Sequence, residues 1–407
     1  MKDFSSILCS TDFPHKDAYG ALQMPVYNNV AFEFDTAEAM ESAFCGKTTD
    51  HTYSRISNPT VQFFEQKIAA ITGAVSVTAL SSGMAAICNT MMALAYNGCN
   101  IVTSRHLFGN TYSLFATTLA AFGVETRFCD LTNLAEVEKN VDAKTCAVFL
   151  EIITNPQMEI ADLQALARIA NQAGAPLIAD TTIVPFCAFA AKDFGINIEI
   201  VSSTKYISGG ATSLGGLIID YGNFDWSKSL KIDYLEREKP TAFAFKIKRE
   251  IHRNLGAYMT PQVAYMQTLG LDTLPLRFQR AAETCLNLAK TLQTVKNIVS
   301  VNYTGLADNR FYDISTRQFG KYPGAMFTFD LASRKQCFEF MNRLKVIKRA
   351  TNLFDNKTLA IHPESTIFGT FPISEKEKMN VSPNTIRISV GLENPEMLVA
   401  DIHQALS

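Results

Sequence analysis

A lysine where a buried strand ends is the residue of this sequence best placed to do chemistry. Lys205 stands in Val201-Ser202-Ser203-Thr204-Lys205-Tyr206-Ile207-Ser208-Gly209-Gly210. The apolar run 196–201 before it reads as a buried strand. Lysines mostly sit solvated on the surface. An ammonium held at a strand end is partly desolvated, its pKa falls, and the neutral amine becomes a nucleophile. Ser202 and Thr204 stand where they could hold an anion beside it. This is the chemistry of a Schiff-base lysine next to the phosphate of pyridoxal phosphate (PLP). The competing reading is a lysine snorkelling from a strand end, and this stretch alone favours it.

Other polar residues stand at similar places. Ser81-Ser82-Gly83-Met84 follows an apolar run and opens an apolar helix. A helix N-terminus offers free N–H groups and a positive dipole end, and glycine allows close approach. An ordinary serine N-cap would look the same. Asp180 ends the run 177–179. A carboxylate there can keep a pyridine nitrogen protonated, or it is a plain turn residue. Glu151 and Asn155 end another run, and Asn155 could donate to the cofactor's phenolic oxygen; Asn155-Pro156 is also a common turn dipeptide. Arg387, in the alternating stretch 385–390, has a fork that fits an α-carboxylate; a surface strand arginine is the ordinary alternative. Tyr53 and Arg55 lie in a less regular segment and could equally be surface residues.

These residues need a scaffold, and the apolar pattern describes one. Strands are expected at 75–80, 100–103, 125–129, 146–150, 177–179, 198–201 and 216–219. Helical patterns lie between them, at 84–96, 112–121 and 162–172. That alternation builds an α/β fold with a mostly parallel sheet covered on both faces, which binds ligands at the carboxyl ends of its strands. Residues 1–57 read as an extended arm, with a short strand at 27–34. A helix should start near Thr60, after Pro59. Residues 58–254 form the large domain on this reading, and 255–407 a smaller α+β domain. In the latter, helices are expected at 273–295, 336–344 and 395–406, and strands at 325–331 and 385–390. The charged run 228–253, with Glu236-Arg237-Glu238-Lys239-Pro240, and the stretch 374–378 read as solvated surface.

Bulk properties narrow the partners. The chain has 407 residues, 47% of them hydrophobic, and a formal net charge of -2. Nothing there points to a nucleic acid or an anionic membrane. The first residues lack the apolar core of a signal peptide, and the longest near-apolar run, 182–191, is too short to span a bilayer. The nine cysteines are scattered, which suggests reduced thiols in the cytoplasm. The six histidines show no ligand spacing, so no metal site is expected.

Taken together the motifs are recognisable. Tyr53-Ser54-Arg55 with Asn58-Pro59-Thr60, then Ser82-Gly83-Met84, Ser202-x-Thr204-Lys205 and Arg387-x-Ser389-Val390-Gly391 resemble the PLP-dependent enzymes of cysteine and methionine metabolism. The resemblance covers nearly the whole chain and is strongest to the O-acetylhomoserine sulfhydrylase branch. The pointers to that branch are Gly215 to Asp220 with Phe224-Asp225-Trp226, Asn352-Leu353-Phe354-Asp355, and Ile361 to Thr366. It implies a type I PLP-dependent transferase fold. Lys205 would carry the cofactor, Asp180 would face its ring nitrogen, and Gly83, Met84, Ser202 and Thr204 would bind its phosphate, beside Ser82. Tyr53 and Arg55 would reach the phosphate of a neighbouring subunit, making a homotetramer built as a dimer of dimers. Asn352 and Arg387 would hold the substrate carboxylate.

This chain departs from the family pattern at three places. Phe108 stands where a tyrosine usually stacks on the ring; it can stack but not act as acid or base. Thr181 replaces an asparagine, with Pro185 one residue early, and Gly209-Gly210-Ala211 replaces Gly-His-Gly. The implied reaction is γ-replacement on O-acetyl-L-homoserine by a sulfur donor. A methionine γ-lyase or cystathionine γ-synthase is the alternative within the fold, and a catalytically inactive binding subunit is the reading from another class.

Overall fold

The apolar runs of the first half become one seven-stranded sheet. Its strands are β1 (Ser76–Leu80), β2 (Asn100–Thr103), β3 (Glu125–Phe128), β4 (Thr145–Glu151), β5 (Leu177–Asp180), β6 (Ile198–Val201) and β7 (Gly216–Asp220). All seven fall where the apolar pattern predicts them. The sheet order is β1-β7-β6-β5-β4-β2-β3. Strands β2 to β6 pair in parallel, and β7 runs antiparallel to both β1 and β6. The carboxyl ends of β1, β2, β4, β5 and β6 therefore open on one edge of the sheet. The computed structural model describes residues 4–13, 17–229, 231–232 and 239–407.

Side chains alternate across a strand, and here the alternation divides two cores. Leu177 and Ala179, Val201, and Leu217 and Ile219 face one of them. Ile178, Ile198 and Ile200, and Ile218 face the other, with helix Gly83–Leu94. The first core continues into a five-stranded sheet of β8 (Ser300–Asn302), β9 (Met326–Asp330), β10 (Lys348–Arg349), β11 (Leu359–Ile361) and β12 (Thr385–Ser389), ordered β10-β11-β12-β9-β8. Helices Leu274–Leu292, Arg334–Arg343 and Pro395–Leu406 accompany it, matching the three expected helical stretches.

Local chemistry sets the helix starts that matter. Pro59 occupies the first turn of helix Pro59–Thr72, and the Asn58 side chain caps it by accepting the Thr60 N–H. Ser82 caps helix Gly83–Leu94 by accepting the Ala85 N–H at 3.1 Å.

Four expectations are corrected. The segment 27–34 is not a regular strand: only an isolated bridge joins Ala31 to Tyr53, because no neighbouring strand lies beside the rest. The helix expected at 112–121 starts earlier, as Gly109–Ser113, and widens into a π-type turn over Leu114–Leu119. In the charged run, residues 236–238 lie outside the described residues, and 242–255 is helical with Phe243, Ile247 and Ile251 buried. In 374–378, Lys376 is buried, because its ammonium pairs with Glu364 at 2.6 Å.

Candidate active site

A cavity of about 250 Å³ opens at the carboxyl edge of the seven-stranded sheet. Eleven residues singled out in the sequence line it: Ser82, Gly83, Met84, Phe108, Glu151, Asn155, Asp180, Ser202, Thr204, Lys205 and Arg387. They come from the ends of β1, β4, β5 and β6, the loop after β2, and β12 of the second sheet.

Lys205 is the centre of the polar network. Its Nζ donates to Asn352 Oδ1 at 2.8 Å. Burial lowers its pKa to about 8, helped by the positive charge of Arg387 and opposed by Asp180 and Asp355. The amine is thus far more readily neutral than an exposed lysine. Asn352 also gives its backbone carbonyl to Arg387 Nη2 at 3.3 Å and its amide to Asp355 at 3.3 Å. It stands outside the cavity lining but links both cations.

Arg387 is 2% exposed. Its Nη1 donates to Asn155 Oδ1 at 3.2 Å, and its Nε has no partner. Its two hydrogen-bond acceptors are a neutral amide and a neutral carbonyl. Burial lowers its pKa to about 9. A buried guanidinium with an orphaned N–H in a cavity wall calls for an anionic ligand.

Two acids form the floor. Glu151 and Asp180 lie opposite each other in the β4–β5 ladder. Burial and Asp180 push the Glu151 carboxyl well up, against the Phe108 N–H it accepts. Burial also raises Asp180, but the Thr182 N–H at 3.0 Å and Lys205 hold it back. Thr182 Oγ1 accepts the Ser202 N–H at 2.8 Å, tying the ends of β5 and β6. On the opposite face of the sheet the hydroxyls of Thr181 and Tyr221 both donate to Glu199, whose pKa burial raises to about 7.

The end of β1 makes a cradle. A Cβ on Gly83 would sit 2.8 Å from Ser202 Cβ, so the helix start packs against the end of β6 with no room for a side chain. The first N–H groups of that helix have no partner within the helix and meet the cavity. The Thr204 hydroxyl is held by Gly215, donating to its carbonyl at 3.2 Å and accepting its N–H at 3.0 Å. An anion cradle, an amine of lowered pKa, a floor carboxylate and a carboxylate-seeking arginine are what PLP and an amino acid need. The residues fit that cofactor.

Tyr53 and Arg55 do not join this cavity. Arg55 lies over the Tyr53 ring at 5.4 Å and donates to the Arg253 carbonyl at 2.5 Å. Sequence reasoning placed Glu151 at a strand end but gave no role to it, to Thr182 or to Leu353, and overlooked Leu214 and Ile367, which with Leu353 make the apolar wall. The place of Glu151 at the end of an apolar run was the available signal for it; for the wall there was none. Among the described residues no cluster of three or more His, Cys, Asp or Glu side chains could hold a metal ion.

Comparison with known proteins agrees with this geometry. The profile of the Cys/Met metabolism PLP-dependent enzymes matches residues 6–407. The O-acetyl-L-homoserine sulfhydrylase 1 of Thermus thermophilus is 34% identical over 401 residues, covering 95% of both chains. The fold superposes on a putative O-acetylhomoserine (thiol)-lyase of Campylobacter jejuni with TM-score 0.93 and 28% identity, over 99% of each chain; that structure carries N'-pyridoxyl-lysine-5'-monophosphate. The O-acetylhomoserine sulfhydrylase of Wolinella succinogenes is 42% identical, with TM-score 0.77 over 87% of this chain and 99% of that one. The chain belongs to the Cys/Met metabolism PLP-dependent enzyme family.

Proposed function

We propose that the protein converts O-acetyl-L-homoserine and sulfide to L-homocysteine and acetate by γ-replacement, a step of methionine biosynthesis. The observation that carries this reading is Arg387, buried without a carboxylate partner in the same cavity as Lys205. An α-amino acid supplies the missing carboxylate and brings its Cα within the lysine's cavity.

When bound, PLP supplies an electron sink for charge left at the substrate α-carbon. The chain's own groups do the rest. Arg387, steadied by Asn155 and Asn352, binds the carboxylate and orients the substrate. The helix start at Gly83 and Met84, with Ser82, Ser202 and Thr204, anchors the cofactor phosphate. Asp180 holds the proton on the pyridine nitrogen. Lys205 Nζ, about half neutral at pH 8, takes protons from the substrate carbons and returns them. Phe108 lines the cavity and would cover the ring but has no hydroxyl, so Lys205 would bear that proton traffic unaided. Acetate leaves the γ-carbon and the sulfur bonds there.

The same reading treats residues 1–57 as an arm that carries Tyr53 and Arg55 to a neighbouring subunit, 58–254 as the cofactor domain and 255–407 as the C-terminal domain. The assembly is then a homotetramer made as a dimer of dimers. Nine free cysteines support a cytoplasmic setting. No helix among the described residues is long and apolar enough to cross a membrane.

The test is product formation from O-acetyl-L-homoserine with sulfide and with cysteine, supplied separately. Homocysteine from sulfide, with little cystathionine from cysteine, is the expected result. Release of 2-oxobutanoate without any thiol-dependent product would make the protein a γ-lyase.

A further inference from the structure

Far from the cavity, two cysteines meet at the other edge of the seven-stranded sheet. Cys99 immediately precedes β2, and Cys146 is the second residue of β4. In the parallel ladder between them, Asn100 faces Thr145 but Ile101 faces Ala147. Cys146 is therefore the extra residue of a bulge, and bulges re-aim side chains. Its sulfur lies 3.4 Å from that of Cys99. A disulfide needs about 2.0 Å between sulfurs, so closure requires a shift on the order of 1.4 Å.

The two thiols are unlike each other, and Cys99 is unlike the thiols that burial raises elsewhere. Cys99 Sγ accepts the Tyr96 N–H at 3.2 Å. The hydrogen bond shared with Cys146 lowers the Cys99 pKa to about 7, against burial, while the same contact and burial raise Cys146. Burial instead pushes Cys129 and Cys187 up to about 12 and Cys337 up to about 11. Cys146 is also partly exposed to solvent. Cys99 itself is buried, so the pair meets solvent on the Cys146 side, and a small oxidant reaches the Cys99 sulfur past its partner.

We propose that Cys99 and Cys146 form a redox-active dithiol that hydrogen peroxide converts to an intramolecular disulfide. The Cys99 thiolate attacks one peroxide oxygen; an S–O bond forms, the O–O bond breaks, and hydroxide leaves. The Cys146 sulfur then attacks the Cys99 sulfur; the S–S bond forms, the S–O bond breaks, and the departing hydroxide takes the Cys146 proton as water. Two thiols lose two electrons and two protons, and one peroxide becomes two waters. The site lies at the amino ends of β2 and β4, while the Lys205 cavity lies at the carboxyl ends, so neither thiol takes part in the transferase chemistry.

The PLP-loaded protein is treated with hydrogen peroxide, alkylated in denaturant, and mapped by peptide mass spectrometry. The expected product is one cross-linked peptide pair joining Cys99 to Cys146, about 2 Da lighter than the reduced pair and restored by dithiothreitol. Cys146→Ser is expected to lose the cross-link and leave Cys99 as a sulfenic acid that dimedone traps. The proposal is overturned if both cysteines still alkylate as free thiols at peroxide doses that have oxidised the exposed Cys9 and Cys45. The wild-type map decides this by itself if the variant does not fold.

Discussion

The Glu151 carboxyl group accepts the backbone N–H of Phe108 at 2.5 Å while lying opposite Asp180 in the strand ladder. Two acids side by side away from water cannot both ionise easily. Asp180 has Thr182 and Lys205 to support its charge, so Glu151 is the one that keeps the proton. Its work is then positional: it fixes the loop that carries Phe108 over the cavity. Glu151→Gln keeps an acceptor for that N–H and should leave stability and cofactor binding close to wild type. Glu151→Ala strands the N–H and should cost about 1–3 kcal/mol, read from denaturant unfolding of the holoenzyme. Equal losses in the two variants would mean that the charge of Glu151, and not its acceptor, matters.

Arg387 is expected to act on substrate and not on cofactor. Arg387→Lys keeps a positive charge but loses the planar fork and the Nε–H that has no partner in the chain. Losing a charge-assisted hydrogen bond of about 1.5–3 kcal/mol should lower kcat/KM by roughly 10- to 100-fold. Most of that loss should appear in KM. The PLP absorbance band should stay unchanged, and its disappearance would reassign Arg387 to cofactor binding.

Much of this site was legible in the sequence because its residues interrupt apolar runs. Asp180 and Lys205 each follow a short hydrophobic strand, and Arg387 takes a polar position of an alternating one. In a mostly parallel sheet such strand ends converge on one edge, so linear position becomes spatial proximity. Strands β8, β10 and β11 went unseen because runs of two or three residues are too short to show a period. Glu199 is a visible charge inside β6, yet its partners Thr181 and Tyr221 are brought to it only by ladder register. The same holds for Cys99 and Cys146, which are 47 residues apart. Asn352 was assigned to the substrate carboxylate by resemblance alone, and its hydrogen bond to Lys205 could not have been read from the chain.

Tyr53 and Arg55 lie outside the Lys205 cavity of their own chain, which makes their proposed service to a neighbour testable by complementation. Arg55→Ala and Lys205→Ala should each lose most activity alone. When the two are unfolded together and reassembled in equal amounts, about half of the dimers should be mixed, with one intact site each. Activity should then recover to roughly a quarter of wild type. No recovery, with mixed assemblies demonstrated by mass, would place Arg55 at its own subunit's site or at none.

The lowered pKa of Lys205 sets a pH window. At pH 8 about half of the amine is neutral in the folded protein, whereas at an ordinary lysine pKa the fraction would be under about 1%. Recapture of PLP by the cofactor-stripped protein should therefore speed up with a midpoint near pH 8. A rate that keeps climbing toward pH 10.5 without a midpoint near 8 would show an ordinary lysine. Stability follows the same group with a definite sign. Between about pH 8 and 10.5 the unfolded chain binds the lysine proton and the folded one does not, so the lysine's destabilising effect shrinks as pH rises. Below pH 8 both states bind it and the full penalty remains. Lys205→Met in the stripped protein should thus be more stable than wild type at pH 7, and the gap should narrow as pH rises toward 10.5. A gap that is constant across this range would mean that the stabilisation comes from packing the methionine and not from removing a buried charge.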